Sequence, residues 1–311
     1  MIKKSIGIHH ITAIVGDPQE NVDFYTGVLG LRLIKKTVNF DDPETYHLYF
    51  GDDIGRPGTV MTFFNWIDGK AGKIGEGQVG TTVFSIPEGS FQFWENRLEK
   101  FNINYSIIEK FNKRHISFYD PHRLHLELVE DEAPDKNKWS FGKITPQVAL
   151  KGIYGVTLYS SNPMSTINLL EEIMGFTRIG EEKDVIRFKA SGSIGSIVDV
   201  NIAPYGEGEI GIGTVHHIAL QAENEEDQIE WKEYLAEFGY SATPVRERNY
   251  FRSIYFRDKG NILFEIATNG PGFLIDEEYE ALGEKLMLPQ WYEGKRFNLE
   301  RTLPTIKLRK E

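Results

Sequence analysis

One order of segments is written four times along this chain, and it restricts the fold more than any other feature. A β-type run is followed by one amphipathic helix and then by further β-type runs. The first copy opens with Ile8-His9-His10-Ile11-Thr12-Ala13-Ile14-Val15. Its helix starts at Asp17-Pro18, carries Val22, Phe24, Tyr25 and Leu29, and stops at Gly30. Strands are expected over 31–39, 46–50 and 59–66. The second copy reads as a strand over 80–86, a helix over 90–102 and strands over 105–109, 115–119 and 124–129. The third has a strand over 154–159, a helix over 163–174 stopping at Gly175, and strands over 177–179, 185–189 and 196–203. The fourth has a strand over 214–221, a helix over 225–238 stopping at Gly239, and strands over 241–247, 252–256 and 262–268. A period of roughly 60 to 70 residues means duplicated modules rather than a thin solenoid. The expectation is an α+β chain of four βαβββ modules. Domains are expected over 1–145 and 146–270, joined by the polar segment 136–151, with a tail over 271–311 that holds one helix over 276–286.

Composition removes whole classes of function. With 311 residues and a formal charge of −11, the chain lacks the basic face that nucleic acid or anionic lipid requires. No apolar run approaches the roughly 20 residues that span a bilayer. The start, Met1-Ile2-Lys3-Lys4-Ser5-Ile6, lacks an apolar signal core, so a cytoplasmic protein is expected. The absence of Cys excludes disulfides, thiolate zinc sites, iron–sulfur clusters and cysteine nucleophiles. Any metal must therefore be held by His, Asp, Glu or other oxygen donors.

The histidines point to such a site. Of 8 His, four form two adjacent pairs, His9-His10 and His216-His217, on the first strands of modules one and four. Strand alternation separates the members of each pair. His216 shares a face with Ile218 and Leu220, suited to packing on the helix, whereas His217 shares a face with Ala219 and Gln221. His10 likewise shares a face with Thr12. His10 and His217 are therefore expected to face a pocket. On the last strand of module four, Glu265 stands opposite the bulky Ile262, Phe264 and Ile266. A buried acid is costly unless paired or metal-bound. Two imidazoles and a carboxylate form the facial set of non-haem Fe(II) oxygenases, with open coordination positions. Glu127 holds the same slot in module two, but no inward His accompanies it there, so it is expected to be a salt-bridged structural residue. His47, His115, His122 and His125 are expected to be structural or surface residues, with a second metal at His125 and Glu127 as an alternative.

These motifs resemble the vicinal-oxygen-chelate superfamily, which includes glyoxalase I, bleomycin-binding proteins and extradiol dioxygenases. The resemblance covers residues 6–270 and rests on His9-His10-Ile11-Thr12, His216-His217-Ile218-Ala219, Arg248, Tyr255-Phe256-Arg257-Asp258 and Phe264-Glu265-Ile266. It implies two cupped mixed β-sheets. Ligands drawn from modules one and four, rather than three and four, are similar to those of the hydroquinone-cleaving dioxygenases. The resemblance then implies Fe(II) at His10, His217 and Glu265; manganese, zinc, nickel or cobalt are other divalent ions for such donors. It implies a small aromatic substrate, a para-diphenol, together with O₂. It also places Tyr255 and Arg248 close behind the ligands, as a proton donor and an anion-stabilising cation, with His9, Thr12 and His216 bordering the site. Phe63, Phe64, Trp66, Tyr255, Trp291 and Tyr292 are candidates for an aromatic wall. A homo-oligomer is compatible with this reading. Two alternatives stay open: a glyoxalase-like metal-dependent lyase or isomerase, which would need a carboxylate on the strand Thr59-Val60-Met61-Thr62-Phe63-Phe64, and a non-catalytic small-molecule binding protein.

Overall fold

The structure, a computed structural model, describes residues 3–132 and 137–308. Met1 and Ile2 at the expected signal-free start, Lys136 at the head of the expected linker, and the tail's end at 309–311 lie outside those residues.

Module one comprises β1 (Ile8–Val15), α1 (Pro18–Val22, continuing as a π-helix over Asp23–Val28), β2 (Arg32–Asn39), β3 (Asp42–Gly51) and β4 (Val60–Asn65). Module two has β5 (Gln78–Ile86), α2 (Phe91–Lys100), β6 (Tyr105–Lys110), β7 (Lys113–Tyr119) and β8 (His125–Glu130). Module three has β9 (Gly152–Tyr159), α3 (Pro163–Asn168, continuing as a π-helix over Leu169–Ile173), β10 (Thr177–Glu182), β11 (Val185–Lys189) and β12 (Ile197–Asn201). Module four has β13 (Thr214–Ala222), α4 (Glu225–Glu237), β14 (Arg246–Glu247), β15 (Arg252–Arg257) and β16 (Leu263–Thr268). The expected stops Gly30, Gly175 and Gly239 all take positive φ, the left-handed conformation that ends a helix without a Cβ penalty.

Two eight-stranded mixed sheets result, each curled into a bowl, which is the vicinal-oxygen-chelate fold. Their composition crosses the halves of the chain. Modules one and four share the sheet β14-β15-β16-β13-β1-β4-β3-β2, and modules two and three share β10-β11-β12-β9-β5-β8-β7-β6. In each sheet the first strands of two modules pair antiparallel at the centre, β1 with β13 and β5 with β9, and each also pairs in parallel with its own module's last strand. The convex faces carry Ile218, Leu220, Phe264 and Ile266 into a core with Tyr25, Trp94 and Trp231. No helix among the described residues is long and apolar enough to cross a membrane.

Three local expectations are corrected. The strand expected over 241–247 shrinks to Arg246–Glu247, because Pro244 cannot donate to a ladder. The segment 137–151 is not a solvated linker: Ile144, Ala149 and Leu150 are buried in the main core, and the Arg32 guanidinium lies 4.6 Å from the Trp139 ring centre. The tail has no helix over 276–286; it makes short 3₁₀ turns, Phe273–Ile275, Tyr279–Ala281 and Gln290–Lys295, and then α5 (Arg296–Thr302). Gly283 sits there at φ +77° with the Leu33 carbonyl 2.1 Å from where a Cβ would stand. The tail is thus shaped by packing on β2 rather than by helical propensity.

Candidate metal centre

The register of the first bowl sets its floor. His10 pairs with Ala219 and Thr12 with His217 across β1 and β13, so the two inward His stand on neighbouring strands. Two positions beyond each inward His, the ladder to the module's last strand brings in Thr62 opposite Thr12 and Glu265 opposite Ala219. One carboxylate therefore meets two imidazoles. Potential ligand atoms of His10, His217 and Glu265 all lie within 4.8 Å of one another, and this is the one such group of three among the described residues. His10 is 1 %, His217 5 % and Glu265 0 % exposed.

The outward member of each pair orients the inward one. His9 Nδ1 lies 2.9 Å from His10 Nδ1, and His216 Nδ1 lies 2.8 Å from His217 Nδ1. Each inward ring thus spends Nδ1 on its neighbour and turns Nε2 to the carboxylate. Such outer hydrogen bonds fix the tautomer and orientation of a metal-binding imidazole. Burial lowers His9 and His216 to about 3, each helped by the adjacent imidazole, so both stay neutral near pH 7. Burial also lowers His217. It would raise Glu265, but His10 and His217 outweigh it and hold the carboxyl well below its usual range.

The donor set fits a divalent cation. Glu265 Oε2 lies 2.8 Å from His217 Nε2 and 3.4 Å from His10 Nε2. The 2.8 Å contact nevertheless lacks hydrogen-bond geometry, and both of its atoms are buried without a partner. A buried orphan pair is costly, and a shared cation resolves it. Glu265 Oε1 accepts from Ser253, which fixes the carboxylate plane.

Around this trio the cavity is lined by Thr12, Asn39, Phe40, His47, Tyr49, Phe64, Arg248, Phe251 and Tyr255. Tyr255 lies with its ring centre 5.6 Å from that of His217, and its hydroxyl accepts from Arg248 Nε at 3.3 Å. Burial raises its phenol above the usual value, reinforced by Glu265, so it carries its proton. Arg248 also donates to Asp41 at 2.8 Å, on the tip between β2 and β3. His9 and His216 do not line the cavity; they act from behind. Of the expected aromatic wall, Phe64 and Tyr255 line it. Phe63 packs on Tyr25 in the core, and Trp291 touches only Phe40 of the lining, edge-on at 5.5 Å, with Tyr292 donating to the Phe40 carbonyl.

His47 is a second correction. Expected to be structural or surface, it lines the cavity and belongs to a chain in which Tyr49 Oη, His47 Nδ1, His47 Nε2, Thr62 Oγ1 and Thr12 Oγ1 are linked at 2.9, 2.8 and 2.8 Å. Alternation on β3, with His47 and Tyr49 facing away from the core residues Leu48 and Phe50, is the signal that finds them.

Glu127 is ion-paired, as expected. His115 Nδ1 lies 2.8 Å and Lys110 Nζ 2.5 Å from its two oxygens, which leaves neither free for a metal with His125. Burial opposes its charge, but the His115 hydrogen bond and the Lys110 ammonium prevail and hold it at about 2. A depressed carboxyl stabilises the fold above its unfolded value, and that contribution is lost as pH falls from about 4.5 to about 2. Glu127→Gln is therefore expected to cost about 1–3 kcal/mol near pH 7 while leaving the metal content unchanged. The gap from wild type should close through that acid window, as read by urea midpoints against pH.

Residues 7–141 and 152–266 match the glyoxalase/bleomycin resistance protein/dioxygenase superfamily. The chain is 56% identical over 309 residues, 99% of each protein, to MhqO of Bacillus subtilis (strain 168), a candidate ring-cleaving dioxygenase. It is 32% identical over 314 residues, 96% of this chain and 95% of the relative, to the chlorohydroquinone/hydroquinone 1,2-dioxygenase of Sphingobium indicum. The crystal structure of a dioxygenase candidate from Bacillus subtilis matches with a TM-score of 0.98 at 56% identity, covering 99% of this chain and 100% of that one. The repeat, the two bowls and these likenesses agree: the chain belongs to the glyoxalase/bleomycin resistance protein/dioxygenase superfamily.

Proposed function

We propose that this chain is a cytoplasmic Fe(II)-dependent dioxygenase that opens the ring of a hydroquinone-type para-diphenol beside one hydroxyl, in the detoxification or breakdown of such aromatics. The observation that carries the reading is the buried trio His10, His217 and Glu265 with its orphaned Nε2 and Oε2 atoms. The names of the relatives favour the substrate class. Iron(II) held by those three side chains supplies the redox chemistry by which dioxygen reacts with an electron-rich ring.

The chain's own groups do the rest. The two oxygens of a para-diphenol lie on opposite sides of the ring, so one enters the trio while the other points away. Tyr255, protonated and beside His217, exchanges a proton with the entering oxygen. Arg248 behind it favours the anionic form of that oxygen. The Thr12–Thr62–His47–Tyr49 chain offers hydrogen-bonding partners on the far wall. The cavity measures about 20 Å³, room for about one water. A ring therefore enters only when the tip at Asn39 and Phe40, tied through Asp41 to Arg248, moves aside; its return excludes water.

Anaerobic iron loading followed by oxygen uptake on a panel of hydroquinones and catechols tests this reading. Uptake with hydroquinones is expected. Stoichiometric binding without turnover would favour the binding protein, and turnover of a glutathione hemithioacetal with Zn or Ni would favour the lyase. Thr62 disfavours the lyase, because it holds in module one the register that Glu265 holds in module four. Tyr255→Phe should keep its iron and lower kcat on the order of 10²-fold; an unchanged kcat removes Tyr255 from the chemistry.

A further inference from the structure

The second bowl repeats the architecture of the first with its imidazoles removed. Across β5 and β9, Thr81 pairs with Thr157 and Val83 with Gly155, as His10 pairs with Ala219 and Thr12 with His217 in the first bowl. The parallel ladders put Glu127 opposite Val83 and Asp199 opposite Thr157. Thr81 and Gly155 therefore hold the places of His10 and His217, and Asp199 holds that of Glu265. Two large rings have become a hydroxyl side chain and a hydrogen. Where the first bowl is filled down to about 20 Å³, the second keeps a cavity of about 340 Å³.

This cavity is built rather than left over. Its floor is charge-balanced: Arg187 grips Asp199 through two bonds of 2.8 Å, and Glu127 is held by Lys110 and His115. His125 spends both ring nitrogens, on Thr81 Oγ1 at 2.9 Å and Ser117 Oγ at 2.7 Å. Two flat rings with Ile108 and Val185 form the apolar part of the walls, and Glu109, Lys110, Glu182 and Lys183 also line the cavity. Tyr159 lies over Gly80, where a Cβ would come within 1.9 Å of its ring, and is stacked on Tyr205 at 3.9 Å. Phe111 roofs the opposite side, with the Arg187 guanidinium 3.8 Å from its ring centre. It stands at the tip of the β6–β7 hairpin with φ +48°, followed by Asn112 at +59°. That geometry favours Asn and Gly; a bulky side chain there costs about 1–2 kcal/mol. The Phe111 amide donates to the Glu182 carboxylate on β10, tying the tip across the mouth. Strain maintained over a cavity is a mark of function.

We propose that the second bowl is a binding site for a neutral, single-ring hydroxyaromatic, separate from the metal centre. An ionic ligand would bring unmatched charge to a floor whose charges are already paired. A purely aliphatic ligand would leave the polar floor unanswered, where the Thr157 hydroxyl, the Asn201 amide and the Thr81–His125 pair can meet a ring hydroxyl. The volume lies at the small end of ligand cavities, which begin at about 300 Å³.

The test uses the metal-loaded full chain, without oxygen, and 4-fluorophenol as probe, followed by fluorine NMR and calorimetry. Saturable binding is expected. Thr157→Phe on the floor and Val185→Trp on the wall should each weaken it by about tenfold or more, while Glu265→Gln should leave it within about twofold. Two fillers are used so that a failure of one to fold leaves the other informative. Binding that survives both fillers, binding lost in Glu265→Gln, or no saturable binding at millimolar probe overturns the proposal. Oxygen uptake plays no part in the readout, so these outcomes are independent of the proposed dioxygenase activity.

Discussion

Glu265→Gln is expected to lose iron and turnover together. The substitution keeps the shape of the side chain and an oxygen for Ser253 to donate to. It removes the one negative charge from a site where burial lowers His217 and each inward ring is bonded to its neighbouring imidazole. A unit charge pair about 4 Å apart is worth about 4 kcal/mol at an effective dielectric of about 20. That corresponds to a metal affinity weaker on the order of 10³-fold. Stability should respond as well. Without metal, His10 and His217 hold the wild-type carboxyl well below its usual range, so its charge stabilises the fold near pH 7. Metal-free Glu265→Gln should thus melt below the metal-free wild type, while metal should raise the melting temperature of wild type alone. Metal analysis, oxygen uptake and melting with and without Fe(II) check this. Retained iron, or a wild type whose melting temperature metal does not raise, would show that Glu265 is a structural acid like Glu127.

The convergence of His10, His217 and Glu265 was legible because it rests on local regularities. Alternation on two short strands separated His10 from His9 and His217 from His216, and the repeat brought equivalent positions into register. In the sheet, Thr12 pairs with His217 and Ala219 with Glu265. Glu127 was legible for the converse reason, since Thr81 and Gly155 stand where a ligand His would be needed. What escaped the sequence depends on contacts between distant segments. His47 has no partner in the repeat and gains its place only through pairing of β3 with β4. Asp41, on a hairpin tip, meets Arg248 from the far end of the chain. The meeting of modules one and four was announced by the His pairs on their first strands, whereas the pairing of modules two and three carries no such mark. The tail was misread because its acidic, helix-prone stretch follows a buried cation rather than its own propensity.

That cation, Lys35, is where the largest loss of stability is expected. It projects from β2, has no solvent exposure, and lies 2.6 Å from Asp276 Oδ1 and 2.5 Å from Glu277 Oε2. Its ammonium sits 5.0 Å from the Tyr250 ring centre, and the Tyr250 hydroxyl donates to Asp276 at 3.0 Å. Phe273 packs on Tyr49 and Tyr250, so the tail is pinned beneath one wall of the metal cavity. Lys35→Met keeps most of the buried volume but strands the acid pair, and Glu277 is itself nearly buried. Breaking a buried pair from one side costs about 3–5 kcal/mol, because the acids lose their cation while Glu277 stays largely shut off from solvent. Adding Asp276→Asn and Glu277→Gln to Lys35→Met removes the stranded charges and should recover much of that loss. If the triple variant is no more stable than Lys35→Met, the tail is held by Phe273 and its apolar contacts rather than by the ion pairs. Urea midpoints of wild type, Lys35→Met and the triple variant decide between the two. Loosening the tail should also raise KM more than it lowers kcat, since Tyr49 and Phe251 shape the cavity while the metal trio sits on the central strands.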